Sequence, residues 1–148
     1  MKNSLRSVAL SRVITIILLA VVILCFLLLP FIMRAYFHYR QMPSNIFTPL
    51  LVLCYCCALC AIGVLLKLWV LLSRIGKGIF FDQKNISLLR DLSVFCIAIG
   101  ALTAIGTVWY FPCIIIAIAA GFLFLILRVL QTVFSATADL KNENDMTI

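Results

Sequence analysis

Four long stretches of this chain carry no charged side chain, and that distribution decides what the chain can fold into. Val13 to Met33, Phe47 to Leu66, Leu92 to Pro112 and the run that opens at Cys113 meet an acid or a base only beyond their ends. A bilayer hydrocarbon core about 30 Å thick is crossed by a helix of roughly 20 apolar residues. The fourth run reaches Arg128, whose long stem lets its charge snorkel to the interface, and Pro112 suits the first position of a helix. With 66% hydrophobic and 11% charged residues in a chain of 148, a water-soluble domain would have too little interior to hide the apolar surface. The expected fold is all-α, an integral membrane four-helix bundle in a single domain. Its expected spans are approximately 13–33, 47–66, 92–112 and 113–133, with a loop at 67–91 and a tail at 134–148.

Lys2, Arg6 and Arg12 precede the first apolar run as they would in a secretory signal. The run is about twice the length of a typical signal core and lacks a small-x-small exit, so the first span is expected to stay in the mature protein. Orientation follows from basic residues in short loops. The N-terminal segment carries those three, and the middle connection carries Lys67, Arg74, Lys77, Lys84 and Arg90, whereas the opposite side has Arg34 and Arg40 alone. An N-in, C-in topology in a bacterial cytoplasmic membrane is expected. The formal charge of +7 is then a topology signal and an attraction to anionic lipid, and direct nucleic-acid binding is not expected.

Helices 2 to 4 are expected to extend beyond the membrane into the cytoplasm. Past Leu66 the apolar pattern continues to Ile75 and stops at Gly76, a residue type suited to the C′ position. Asp82 is a candidate N-cap, with Phe81 and Ile86 as a hydrophobic staple. From there Ile86, Leu89, Leu92 and Phe95 recur at helical spacing. Beyond Arg128, a stripe of Leu130, Val133, Phe134, Thr137 and Leu140 is expected to pack in a short cytoplasmic bundle. On the other side, Tyr36, Phe37, Tyr39, Trp109, Tyr110 and Phe111 form interfacial belts. His38 lies among them, one turn from Arg34, and reads as an interfacial residue. Two small-xxx-small pairs, Gly100 with Ala104 and Ala117 with Gly121, flank the last turn symmetrically. In an antiparallel hairpin they predict Gly100 against Gly121 and Ala104 against Ala117.

LVLCYCCALC, Leu51 to Cys60, places four of the seven cysteines in ten residues and contains CxxC twice. On a helix at most three of these thiols share a face, and no His or carboxylate lies in any span to complete a zinc site. A thiol–quinone oxidoreductase would need a second thiol pair; the loop from Arg34 to Ile46 has no cysteine and Cys113 stands alone. The cysteines therefore read as small hydrophobes, with no metal, no cofactor and no catalytic residue expected. Coupled transport is disfavoured, since intramembrane ionisable groups are missing and Pro30, Pro43, Pro49 and Pro112 sit near the outer helix ends. Gly76-Lys77-Gly78 lacks the length and ending of a phosphate-binding loop.

What remains is the cytoplasmic face, the loop IGKGIFFDQKNISLLRDL and the tail ADLKNENDMTI. Phe80 and Phe81 are large apolar residues on a loop and must pack on something. The loop is basic and the tail acidic, so the tail can dock on the loop, although surface ion pairs would contribute only about 0–1 kcal/mol. Gly78, Phe80, Asn85, Leu89 and Arg90, with the ending Leu140-Lys-Asn-Glu-Asn-Asp-Met-Thr-Ile148, resemble the bacterial four-span membrane family known as domain of unknown function 2975. Met146 departs from the Leu common there. The resemblance implies a fold and no defined chemistry. It also implies a partner, because relatives are often encoded beside a small helix-turn-helix regulator.

The expected function is that of a non-enzymatic membrane anchor or sensor. Its loop (Phe80, Phe81, Asn85, Arg90) and tail (Asn144, Asp145, Thr147, Ile148) would bind a cytoplasmic partner such as a small DNA-binding regulator, or would stitch tail to loop. Membrane lipid is the other expected partner, and homo-oligomerisation is left open. The alternatives are immunity or permeation against a membrane-active peptide or small toxic molecule, with determinants around Arg34 to Asn45 or in the spans, and a thiol–quinone oxidoreductase.

Overall fold

The computed structural model describes residues 2–79 and 82–146. It contains four helices, α1 (Lys2–Arg40), α2 (Phe47–Gly76), α3 (Gln83–Gly106) and α4 (Cys113–Met146), with a single 3-10 turn at Ser44–Ile46 between α1 and α2. All four are long and apolar enough to cross a membrane, and the chain is a multi-pass membrane protein. α4, at 34 residues, is about 51 Å long at 1.5 Å per residue, well beyond a hydrocarbon core.

The helices pack in chain order, α1 on α2, α2 on α3 and α3 on α4, with α3–α4 the broadest interface. α3 is the inner helix. Its most apolar window has a mean hydropathy of 1.9 and is 28% buried, against 3.3 and 6% for α1. A helix shielded by neighbours holds its polar groups away from water and needs partners for them, and Asn85, Ser93 and Thr103 are all buried on α3. The hydroxyls are satisfied within their own helix: Ser93 Oγ donates to the Arg90 carbonyl at 2.7 Å and Thr103 Oγ1 to that of Ile99 at 2.8 Å, a back-bond open to Ser and Thr in helices.

Two apolar clusters hold the ends. One joins Met33 and Phe37 of α1, Leu50 and Leu53 of α2 and Cys113 of α4. Beside it the Tyr36 and Tyr110 hydroxyls hydrogen-bond, with their rings edge-to-face. The other joins Leu71 with Leu89 and Leu92, backed by Leu127 and Phe134. It lies at the end that carries both termini, where the start of α1 meets the end of α2: a Cβ on Gly76 would sit 3.3 Å from Val8 Cγ1.

Several expectations are corrected. The third apolar run leaves the helix at Gly106 and turns through 107–112, because Pro112 cannot donate to a continuing helix and biases Phe111 away from helical geometry. The C′ residue of α2 is Gly78 rather than Gly76. Gly78 has φ +82°, and the Gly78 and Ile79 amides donate to the carbonyls of Ile75 and Arg74 in a Schellman pattern. On α4, Phe134 packs inward with Leu127, and Ala138 is buried, while Leu130, Val133 and Leu140 face outward.

The small-residue pairing also differs. Gly100 faces Ala120, whose Cβ would lie 3.5 Å from an added Cβ, and the Ala117 carbonyl; Gly121 meets nothing within 4 Å, and Ala104 is exposed. The α4 residues that face Gly100 are thus 117 and 120, an i,i+3 pair. Gly100→Leu is therefore expected to overpack the α3–α4 seam and cost about 1–3 kcal/mol, read as a lowered unfolding midpoint in detergent. Gly121→Leu is expected to leave the midpoint unchanged.

Candidate functional site

The α2–α3 turn is built around one fully buried amide. Asn85 is 0% exposed, three residues after Asp82, the N-cap of α3, whose carboxylate accepts from the Gln83 amide at 2.8 Å. The Asn85 side chain accepts from Arg74 Nε at 2.7 Å and donates to the Ile79 carbonyl at 2.9 Å. Arg74 Nη2 reaches on to Asp82 Oδ2 at 2.5 Å. One guanidinium thus holds the cap and the amide together, a geometry its planar fork suits. Because Asp82 is about half exposed, the ion pair itself contributes little; the larger effect is the satisfaction of a polar group sealed from water. Ser73 Oγ, next in sequence to Arg74, is buried with no hydrogen-bond partner among the described residues.

Polar clefts flank the first turns of α3. On the α2 side a cleft of about 330 Å³ is lined by Lys67, Arg74, Lys84, Ser87 and Asp91, and the ion pair of Lys67 with Asp91 spans it at 3.0 Å. On the α4 side a cleft of about 490 Å³ is lined by Arg128, Gln131, Thr132, Ser135 and Asp139, with Ile86 opposite. Those α4 residues recur at i, i+3, i+4, i+7 and i+11, one face of a helix. The sequence reading missed this face because it followed the apolar stripe; the polar spacing was available as a signal.

Of the residues singled out from the sequence, Asn85 lies inside the turn and braces it, and Arg90 is exposed on α3. Asn144 and Asp145 sit in the exposed last turn of α4, which continues as helix through the expected tail. Phe80, Phe81, Thr147 and Ile148 lie outside the described residues, and with them the Phe81–Ile86 staple. Cys54 packs against the cluster that contains Cys113, so Cys113 does not stand apart from the cysteines of α2. The cysteines are all free thiols, and no group of three or more metal-ligating side chains occurs among the described residues.

A family model described as a protein of unknown function, DUF2975, matches residues 37–148. No curated protein and no solved structure matches the chain.

Asn85→Ala is expected to strand Arg74 Nε and the Ile79 carbonyl, costing about 1–3 kcal/mol and speeding proteolysis of the α2–α3 turn. Lys67→Ala, which removes a half-exposed pair, is expected to change stability by no more than about 1 kcal/mol.

Proposed function

We propose, from the premise that this chain belongs to the DUF2975 family of proteins of unknown function, that it is a non-enzymatic membrane anchor. In this proposal the end carrying the termini faces the cytoplasm and holds a protein partner there. The observation that carries the proposal is the bracing of Asn85. A buried polar bracket costs desolvation that an apolar turn would avoid, and its return is a single fixed shape. A fixed shape at the tip of a bundle is what a docking platform needs.

Further features support it. Basic residues concentrate at this end, as cytoplasmic loops of membrane proteins require. α4 projects past the bundle, with Leu140 62% and Met146 89% exposed beside Asp139, Glu143 and Asp145. Exposed apolar side chains set among acids near the end of α4 fit a partner that presents apolar surface beside basic residues, and a small DNA-binding regulator carries such a basic patch. The platform would keep such a regulator at the membrane and off its DNA.

Affinity capture from gently solubilised membranes, with the tag inserted between α1 and α2, tests the proposal. The full chain is expected to retain a DNA-binding protein. Deletion of residues 142–148, or Leu140→Asp, is expected to abolish capture while the unfolding midpoint and membrane yield stay the same. Unchanged capture by both variants would refute the platform.

A further inference from the structure

At the opposite end of the bundle, the last turns of α1 and the start of α2 enclose a cleft of about 530 Å³ lined by Arg34, Phe37, His38, Gln41, Met42, Ser44 and Phe47. This volume falls within the range of small-ligand sites. Arg34, Phe37 and His38 occupy i, i+3 and i+4, so α1 presents them as one stripe, and Gln41 follows directly after the helix end. The cleft is divided by chemistry. Its floor is apolar: Phe37 is 7% exposed and stacks edge-on against Phe47, centroids 5.2 Å apart. The exposed Arg34, His38, Gln41 and Ser44 form a polar rim.

The charge at this rim has no counterpart. Asp82 is the first acidic residue of the chain, and it lies at the other end, in the Arg74–Asn85 bracket. Arg34 directly follows the charge-free run that ends at Met33, which places its guanidinium where apolar span gives way to interface, at the depth of lipid phosphates. Backbone geometry adds a second sign. Gln41 has φ +51°, a left-handed conformation that glycine adopts without steric cost and glutamine rarely takes. It closes α1 with the Met42 amide donating to the Phe37 carbonyl at 3.2 Å. A glycine would make the same turn without strain; glutamine supplies an amide to the rim. Strain of this kind gathers at ligand sites.

We infer that this cleft binds an anionic phospholipid of the adjoining leaflet, its phosphate between Arg34 and His38, its head hydrogen-bonded by Gln41 and Ser44, and the start of an acyl chain on Phe37, Met42 and Phe47. A cationic rim above an apolar floor selects a ligand that is both anionic and apolar. The site is independent of the platform at the other end.

The test is a thermal-shift and native mass-spectrometry titration of the delipidated full chain in neutral detergent. The probes are dioleoyl phosphatidylglycerol, dioleoyl phosphatidylcholine and inorganic phosphate. Phosphatidylglycerol is expected to raise the unfolding midpoint and to remain bound in the gas phase, phosphatidylcholine to act more weakly, and inorganic phosphate to have no effect. Arg34→Gln is expected to weaken phosphatidylglycerol binding about tenfold, the loss of one charge-assisted contact, and Arg34→Lys less. Gln41→Gly is expected to raise the midpoint of the lipid-free protein and to lower lipid affinity. Arg40→Gln, at the same end but off the cleft, separates a site from diffuse attraction and is expected to bind as the wild type does. Equal losses from Arg34→Gln and Arg40→Gln, equal binding of the two phospholipids, or a full response to inorganic phosphate would each overturn the assignment.

Discussion

In hydrocarbon no water completes an unpaired N–H or C=O, so each segment of a spanning protein must close its own backbone bonds. That constraint governs the whole molecule. It makes the four apolar runs helices, and it also removes the usual reason for helices to associate, because lipid tails are as apolar as leucine. Close packing has to replace the hydrophobic effect, and the glycines show where it does. A Cβ on Gly63 would fall 2.9 Å from Phe95 Cζ, and one on Gly106 2.6 Å from Leu53 Cδ2. In both places a large side chain of one helix enters the space a glycine leaves on its neighbour. The two contacts join α2 to α3 at different depths, which suits α3 as the helix shielded on both sides.

The same constraint sorts the polar chemistry. Inside the bundle, buried hydroxyls return their hydrogen bonds to the helix backbone, as Thr103 and Ser93 do. Everything else is driven to the ends. At the end with the termini this produces a bracket in which acid, base and amide answer one another. At the opposite end no acid is present, and Arg34 and Arg40 face the interface without an internal counter-charge. The two ends therefore differ in kind: at one, some of the cations are paired within the protein; at the other, where no acid stands, they are left for the surroundings to complete.

How far this was legible in the sequence depends on the range of the interaction involved. Helix identity follows from charge-free runs, and Asp82 as an N-cap follows from a local rule, so both could be read directly. The left-handed positions at Gly78 and Gln41 could not be fixed in the same way. Gly76 and Gly78 are both able to end α2, and the choice rests on the Ile79 and Gly78 amides reaching back to Arg74 and Ile75, while nothing in the glutamine side chain announces a turn. Helix-pair register was less legible again. The symmetry of Gly100 and Gly121 about the last turn assumes that both helices start at equivalent depths, and the loss of residues 107–112 to that turn shifts α3 against α4. Rotation of α4 was misread for a related reason: in a membrane an apolar stripe can face lipid as well as protein, so Leu130 and Val133 carry no information about which side is packed. Polar residues on the same helix are more informative, because they have fewer places to go.

The turn residues on which the family resemblance rests thereby divide into two groups. Gly78 closes α2, and Asn85 is engaged within the bracket, which Asp82, a residue outside the resemblance, completes. Side chains committed in this way keep the turn in shape but offer little to a second molecule. For the proposed partner, recognition falls instead to exposed groups: Lys84 and Arg90 on α3, and Asp139 and Asp145 with Leu140 and Met146 on α4. The two helices present opposite charge, so a partner touching both must itself be polarised, and its ionic contribution would weaken as salt shortens the screening length. Apolar contacts along α4 would not weaken in this way. Within one motif, then, some residues build the platform while others, exposed beside them, are left to meet a partner.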